Sequence, residues 1–173
     1  MKLNIGCGED YRAGYVNIDL SRDIKADLYV KNESEIFKKG FKDIEEILIF
    51  KTLPYLENSV DFLCKCHKIL KSGGKIKLIV PHFASLPYSM YAKRHVGYRT
   101  LEFRRFGISD RAKWGIVPKE VVFNVKIKIR FYKPFSIFER IINSNVKGQE
   151  LYETTLLRSV FIPRRMEVEM IKI

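Results

Sequence analysis

Three short apolar segments stand unusually close together at the start of this 173-residue chain, and their spacing constrains the fold more than any other feature. Residues 2–5, 15–19 and 26–30 read as strands from their apolar or alternating runs. Only six residues separate Gly8 from Tyr15, and five separate Leu20 from Ala26. A connection between neighbouring parallel strands usually takes a dozen or more residues and carries a helix. Neither connection here can hold a full helix, so one face of the first half of any parallel sheet is thinly covered.

The first strand, Leu3-Asn4-Ile5, runs straight into Gly6-Cys7-Gly8, and the second, Tyr15-Val16-Asn17-Ile18-Asp19, ends in an acid eleven residues after Gly8. Glycines here permit turn dihedrals that other residues avoid and let a ligand approach the main chain. A carboxylate at the end of the adjacent strand can accept two hydrogen bonds from a ribose diol. The plain alternative is a tight turn after a buried strand, with Asp19 as a strand-end cap. A dinucleotide fingerprint would continue with a third glycine, but Tyr11 stands at that position and the acid arrives early. No Gly-Lys-Ser/Thr occurs, which excludes a P-loop.

Further along, strands are predicted at 45–50, 75–80, 122–131 and 167–173, with helices at 33–39, 58–71, 134–143 and 149–160. The alternation of strands and helices predicts an α/β fold: a doubly wound, Rossmann-like, seven-stranded and mostly parallel sheet, with shortened early crossovers and an antiparallel C-terminal strand. In such sheets a ligand lies beyond the carboxyl ends of the strands at a switch in strand order, where Gly6, Gly8 and Asp19 stand. No repeat or linker divides the chain, so residues 1–173 read as a single domain in which about 82–120 form an insertion or lid on the substrate side.

With 46% hydrophobic and 30% charged residues, the chain is long enough for one globular core. No run approaches the length of a membrane span, and the strand at the amino terminus leaves no room for a signal peptide, so a cytoplasmic protein without a membrane partner is expected. Three cysteines form no disulfide framework. Cys64 and Cys66 are two apart on a predicted helix and point in different directions, so core thiols rather than metal ligands are expected.

Charge is uneven. Residues 1–86 carry 14 Lys/Arg against 12 Asp/Glu, whereas residues 87–173 carry 18 against 8. The stretch 91–113 holds seven basic and two acidic residues with aromatics interleaved, among them Tyr91, Tyr98, Phe103 and Phe106. It suits an anionic small molecule or nucleic acid as partner. A solvated basic surface is the plain alternative.

The runs Leu3 to Gly8 and Gly14-Tyr15-Val16-Asn17-Ile18-Asp19-Leu20 resemble the opening of the class I S-adenosylmethionine-dependent methyltransferases, in a branch of small members. The likeness continues through Ala26 to Val30, Glu46 to Phe50 and Ile69-Leu70-Lys71-Ser72-Gly73-Gly74-Lys75 to Pro81, and covers the first half closely. It implies S-adenosylmethionine as cofactor, held by Gly6, Cys7, Gly8, Asp19 and Leu20. Relatives offer an acid or amide to the adenine after the third strand. Here Lys31 cannot accept that bond, which leaves Asn32 or a backbone group. The segment Lys51-Thr52-Leu53-Pro54-Tyr55 is implied to line the methionine or adenine side.

The function implied is methyl transfer to an N or O acceptor, anionic or displayed on an anionic molecule. A base is needed only where the acceptor must lose a proton, and His82 and His95 are the candidates. Tyr88 and Tyr91 are candidate substrate contacts. The alternative is a non-catalytic nucleoside-binding or RNA-binding protein on the same fold. The thinly covered sheet face suggests a homodimer.

Overall fold

A computed structural model describes residues 1–85, 118 and 120–173. Seven strands, β1 (Lys2–Ile5), β2 (Val16–Asp19), β3 (Leu28–Tyr29), β4 (Ile44–Phe50), β5 (Leu70–Val80), β6 (Phe123–Phe131) and β7 (Pro163–Lys172), form one sheet in the order β3-β2-β1-β4-β5-β7-β6. The pairings from β3 through to β5 are parallel, and β7 runs antiparallel to both β5 and β6. This is the seven-stranded, mostly parallel sheet expected from the sequence. The helices are α1 (Glu33–Lys38), α2 (Ser59–Ile69), α3 (Glu139–Ile142), α4 (Val146–Thr154) and α5 (Leu157–Val160).

Register gives the sheet two unlike faces. Leu3, Ile47, Ile76 and Met170 fall in one row across β1, β4, β5 and β7, and Ile5, Ile49, Leu78 and Val168 fall in the next. These side chains are buried, and α1 and α2 add Ile36, Phe62, Leu63 and Cys66 to the same core. The alternate positions form the other face, where one row reads Asn17, Asn4, Leu48, Lys77, Glu169 and Lys126. No helix joins β1 to β2 or β2 to β3, as the short connections require. The loop after Gly8 covers that end of the polar face instead. Asn4 and Asn17 are fully buried beneath it, Asn4 donating to the Asp10 carbonyl (2.7 Å) and to Asn17 Oδ1 (3.0 Å).

Capping explains where the two longer described helices of the first half begin. Asn58 accepts from the Asp61 amide at the start of α2, and Lys65 pairs with Asp61 one turn on (2.7 Å). Cys64 and Cys66 lie buried in α2, and burial pushes both thiols up. Two boundaries differ from expectation. β5 begins at Leu70 rather than 75, because Leu70 pairs with Ile44 before a register shift brings Lys75 opposite Glu46. Gly74 makes this possible, since a Cβ there would stand 2.8 Å from the Ile44 and Lys71 carbonyls. β7 begins at Pro163 rather than 167. The predicted helix 134–143 is a 3-10 turn at Phe135–Phe138 followed by α3, and 149–160 divides into α4 and α5.

Candidate functional site

β1 and β4 are neighbours in space whose connections leave in opposite directions, so their carboxyl ends open a crevice at the switch in strand order. The Gly6-Cys7-Gly8 turn leaves β1 there. The amides of Gly6 (2.8 Å) and Cys7 (3.1 Å) donate to the Ile18 carbonyl, which ties the turn to β2. Gly6 has φ +65°, and a Cβ on it would stand 2.1 Å from Thr52 Oγ1. Glycine is therefore required at 6 for conformation and for space. Over Gly8 a Cβ would meet nothing within 4 Å, so the turn faces open room.

Asp19 ends β2 beside this turn. Its Oδ2 accepts from the Gly8 amide (2.8 Å) and lies 3.8 Å from Cys7 Sγ, while Oδ1 accepts from the Ser21 amide (2.9 Å). Oδ1 keeps a second acceptor site, and Oδ2 does so when the Cys7 thiol donates instead to the Lys25 carbonyl (3.8 Å). Asp19 is thus a cap, as the plain alternative had it, and is also free to accept from a ligand. Burial, then the Asp19 charge, pushes the Cys7 thiol to about 11, so it is protonated and unreactive at neutral pH.

From β4 come Phe50, Lys51, Thr52 and Tyr55. Lys51 adopts φ +58° with its amide bonded to the Ile79 carbonyl (2.6 Å), and its Nζ lies 5.2 Å from the Phe50 ring centre. Thr52 Oγ1 donates to the Phe50 carbonyl (3.0 Å) and so presses on Gly6. Together the two strand ends wall a cavity of about 660 Å³, within the range of small-ligand sites. Gly6, Cys7, Gly8, Asp19, Leu20 and Lys51, all expected in the site, line it.

Thr52 and Tyr55, from the segment expected to line it, are further walls, and Glu9, Asp10, Arg12 and Phe50 are walls without a motif. Arg12 pairs with Asp10 (2.9 Å), and its amide donates to Asn17 Oδ1 (2.8 Å). Asn17 also donates to Asp27 Oδ2 (2.8 Å), and Tyr11 donates to Asp27 Oδ1 (2.8 Å). These bonds hold the Asp27 carboxyl below the usual carboxylate range, the Asn17 amide bond most strongly. The polar network does what a crossover helix would do, fixing the loop 9–15 over the sheet. Paired buried asparagines on adjacent strands are its sequence signal.

Two expected site residues are elsewhere. Asn32 caps α1, its Oδ1 accepting from the Glu35 amide (3.2 Å), and it does not line the cavity. Its place at the start of α1, away from the cavity, is what removes it from the site. His82 is wholly buried and is not a cavity wall. Its Nδ1 accepts from the Ala84 amide (3.1 Å), so Nε2 carries the proton and donates to Glu153 Oε1 (2.9 Å). Both ring nitrogens are engaged, which leaves His82 no lone pair for a substrate proton. His95, Tyr88, Tyr91, the basic stretch 91–113 and most of the insertion 82–120 lie outside the described residues.

No family model matches the chain, and no curated protein matches it in sequence. Solved structures match it over almost its whole length. An S-adenosylmethionine-dependent methyltransferase from Archaeoglobus fulgidus is 17% identical, with 99% of this chain and 85% of that one covered and a TM-score of 0.66. The plantazolicin methyltransferase BpumL, in complex with S-adenosylhomocysteine and a monoazolic desmethylPZN analogue, is 16% identical over 99% and 75%, with a TM-score of 0.55. The plantazolicin methyltransferase BamL, in complex with S-adenosylhomocysteine and a triazolic analogue, is 16% identical over 99% and 76%, with a TM-score of 0.53. At these identities the likeness is one of fold: the sheet is that of S-adenosylmethionine-dependent methyltransferases.

Proposed function

We propose that the chain binds S-adenosylmethionine in the cavity between the ends of β1 and β4 and transfers its methyl group to an N or O acceptor of anionic character. One observation carries the reading: the Asp19 carboxylate stands beside a glycine turn with open space above it, at the strand-order switch of this sheet. The residues present fit the cofactor. Asp19 offers its free acceptor sites to the ribose diol. Leu20 and Tyr55 present exposed apolar surface at the mouth, which a purine ring would cover. Arg12 and Lys51 supply cations for a carboxylate.

Bound there, S-adenosylmethionine supplies a methyl group already activated by its sulfonium. The work left to the chain is to hold donor and acceptor in line and to keep water away. His82, with both nitrogens engaged, positions the turn after β5 rather than taking a proton. Ser85 supports that turn, its amide (2.8 Å) and hydroxyl (2.6 Å) both donating to the His82 carbonyl. The basic stretch 91–113 supports an anionic acceptor.

Titration calorimetry with S-adenosylmethionine and S-adenosylhomocysteine tests the reading. Both are expected to bind. Asp19→Ala should weaken both by about tenfold or more, and Tyr55→Ala, which leaves the turn untouched, by about three- to tenfold. Thermal unfolding of each variant distinguishes a collapsed turn from a lost contact. No heat with either ligand, together with salt-sensitive RNA binding, would replace this reading by a non-catalytic one.

A further inference from the structure

The helical segment between β6 and β7 is apolar on its outer surface as well as its inner one. Inward, it contributes Ile142 and Tyr152 to the core. Outward, Ile137, Ile141, Leu151, Leu156 and Val160 are each between 58% and 82% exposed. Ile137 and Ile141, like Leu156 and Val160, are four residues apart in the chain. Five aliphatic side chains in a stretch of 24 residues exceed the scatter of single exposed residues expected on a soluble surface.

The charges of this segment are sorted. Glu139 is turned inward to Arg130 Nη1 (2.9 Å) and the Phe131 amide (3.0 Å), and Glu153 to His82. Lys133, Arg140, Lys147 and Arg158 remain at the surface, and a third acid, Glu150, is half-buried. Aliphatic side chains among four exposed cations, with two of the three acids turned inward, make the composition of a surface that enters the headgroup layer of an anionic membrane. Two other occupants fit worse. A second copy would bring one cationic rim against another, in a chain of formal net charge +12. Nucleic acid would be met by aromatic stacking platforms, and aliphatic side chains offer none.

We infer that the outer surface of residues 135–160 docks reversibly on an anionic lipid surface. It does so without spanning it, since no described helix is long and apolar enough to cross a membrane. The absence of such a helix was the ground for expecting no membrane partner, and it does not bear on a surface contact. The segment leaves the carboxyl end of β6, is fastened along the outer edge of that strand by Asn143 and Gln149, and returns at the start of antiparallel β7. The inference does not depend on what the cavity binds.

The test is flotation of the full chain with vesicles of phosphatidylcholine mixed with phosphatidylglycerol, and with vesicles of phosphatidylcholine alone. Binding to the anionic vesicles should be about tenfold or more tighter and should fall as salt is raised. The Ile141→Glu/Leu156→Glu variant should lose about tenfold in affinity with its unfolding temperature unchanged, both side chains being exposed. If that variant does not fold, Val160→Cys carrying an environment-sensitive dye serves instead, since Cys7, Cys64 and Cys66 are buried. Its emission should shift to the blue only with anionic vesicles. No vesicle binding, binding that the double variant retains in full, an unshifted dye, or a dimer that the double variant splits would each overturn the inference.

Discussion

Single residues in this protein answer to two demands at once. Gly6 needs a left-handed backbone and yields its side-chain space to Thr52, and Asp19 ties the turn while keeping acceptor sites for a ligand. His67 is the residue whose titration is most exposed to measurement. Its ring is buried, packs edge-on to Phe123 at 4.9 Å, and leaves Nε2 without a hydrogen-bond partner. Burial, and then the nearby Lys172 charge, lowers its pKa below 6.5, against a weaker pull from a hydrogen bond with the Val122 backbone. The unfolded chain therefore takes up a proton first as pH falls from 6.5, and stability drops over the window down to the folded value, below which it changes no further. Urea midpoints measured between about pH 7 and pH 5 should fall in the native protein, and the part due to His67 should vanish in His67→Leu. Equal pH slopes for the two proteins would remove this account. The turn and Asp19 were legible in the sequence because both sit within a single strand-turn-strand unit. The engagement of His82 was not, because Glu153 lies 71 residues away and nothing near His82 announces it.

At the scale of elements, the edge of the sheet shows how the helical segment is fastened. β6 is an edge strand, and its outward backbone groups would otherwise be open to another chain. Asn143 closes them by accepting from the Ile129 amide (2.8 Å) and donating to the Ile129 carbonyl (2.8 Å), and Gln149 donates to the Ile127 carbonyl (2.6 Å). Asn143→Ala would leave both Ile129 groups without these partners. A loss of about 1–3 kcal/mol is expected, read as a fall in melting temperature of about 2–4 °C per kcal/mol. An unchanged melting temperature would show that water satisfies the edge equally well. β6 itself was legible from its clean alternation, Val125-Lys126-Ile127-Lys128-Ile129-Arg130. The fragmentation of the following helices was not legible, since Asn143 read only as the end of one helix and Asn145 as part of the connection to the next. In the fold one bonds the strand edge and the other caps α4.

Among the described residues, the sheet has one face given to the apolar core and one that carries polar and charged rows. On the polar face Glu46, nearly buried, is held by Lys75 (3.3 Å), Lys77 (3.1 Å) and the Tyr15 hydroxyl, and Glu167 by Arg130 (2.9 Å) and Arg165 (2.8 Å). Burial raises the carboxyl of Glu46, but the bonds from Tyr15 and Lys77 outweigh it and hold it ionised below its ordinary value. Interface cores are depleted in charged side chains, so these rows suit solvent better than a second subunit. Light scattering is expected to give the mass of one chain at low and high salt alike. A dimer that dissociates as salt rises would assign the charged face to self-association after all.

The sequence by itself determined the strand order of events: a glycine turn after a buried strand, an acid after the next, two connections too short for helices, and alternation in the later strands. Each of these is a local pattern, set by backbone dihedrals and by the two-residue period of a strand. Only the tertiary structure decided what lies opposite what. It placed Thr52 over Gly6, paired Leu70 with Ile44, set Glu153 against His82 and turned Glu139 inward to Arg130. Those outcomes depend on contacts between residues far apart in the chain, where burial and hydrogen-bond satisfaction are shared across the whole core and no short stretch of sequence contains both partners.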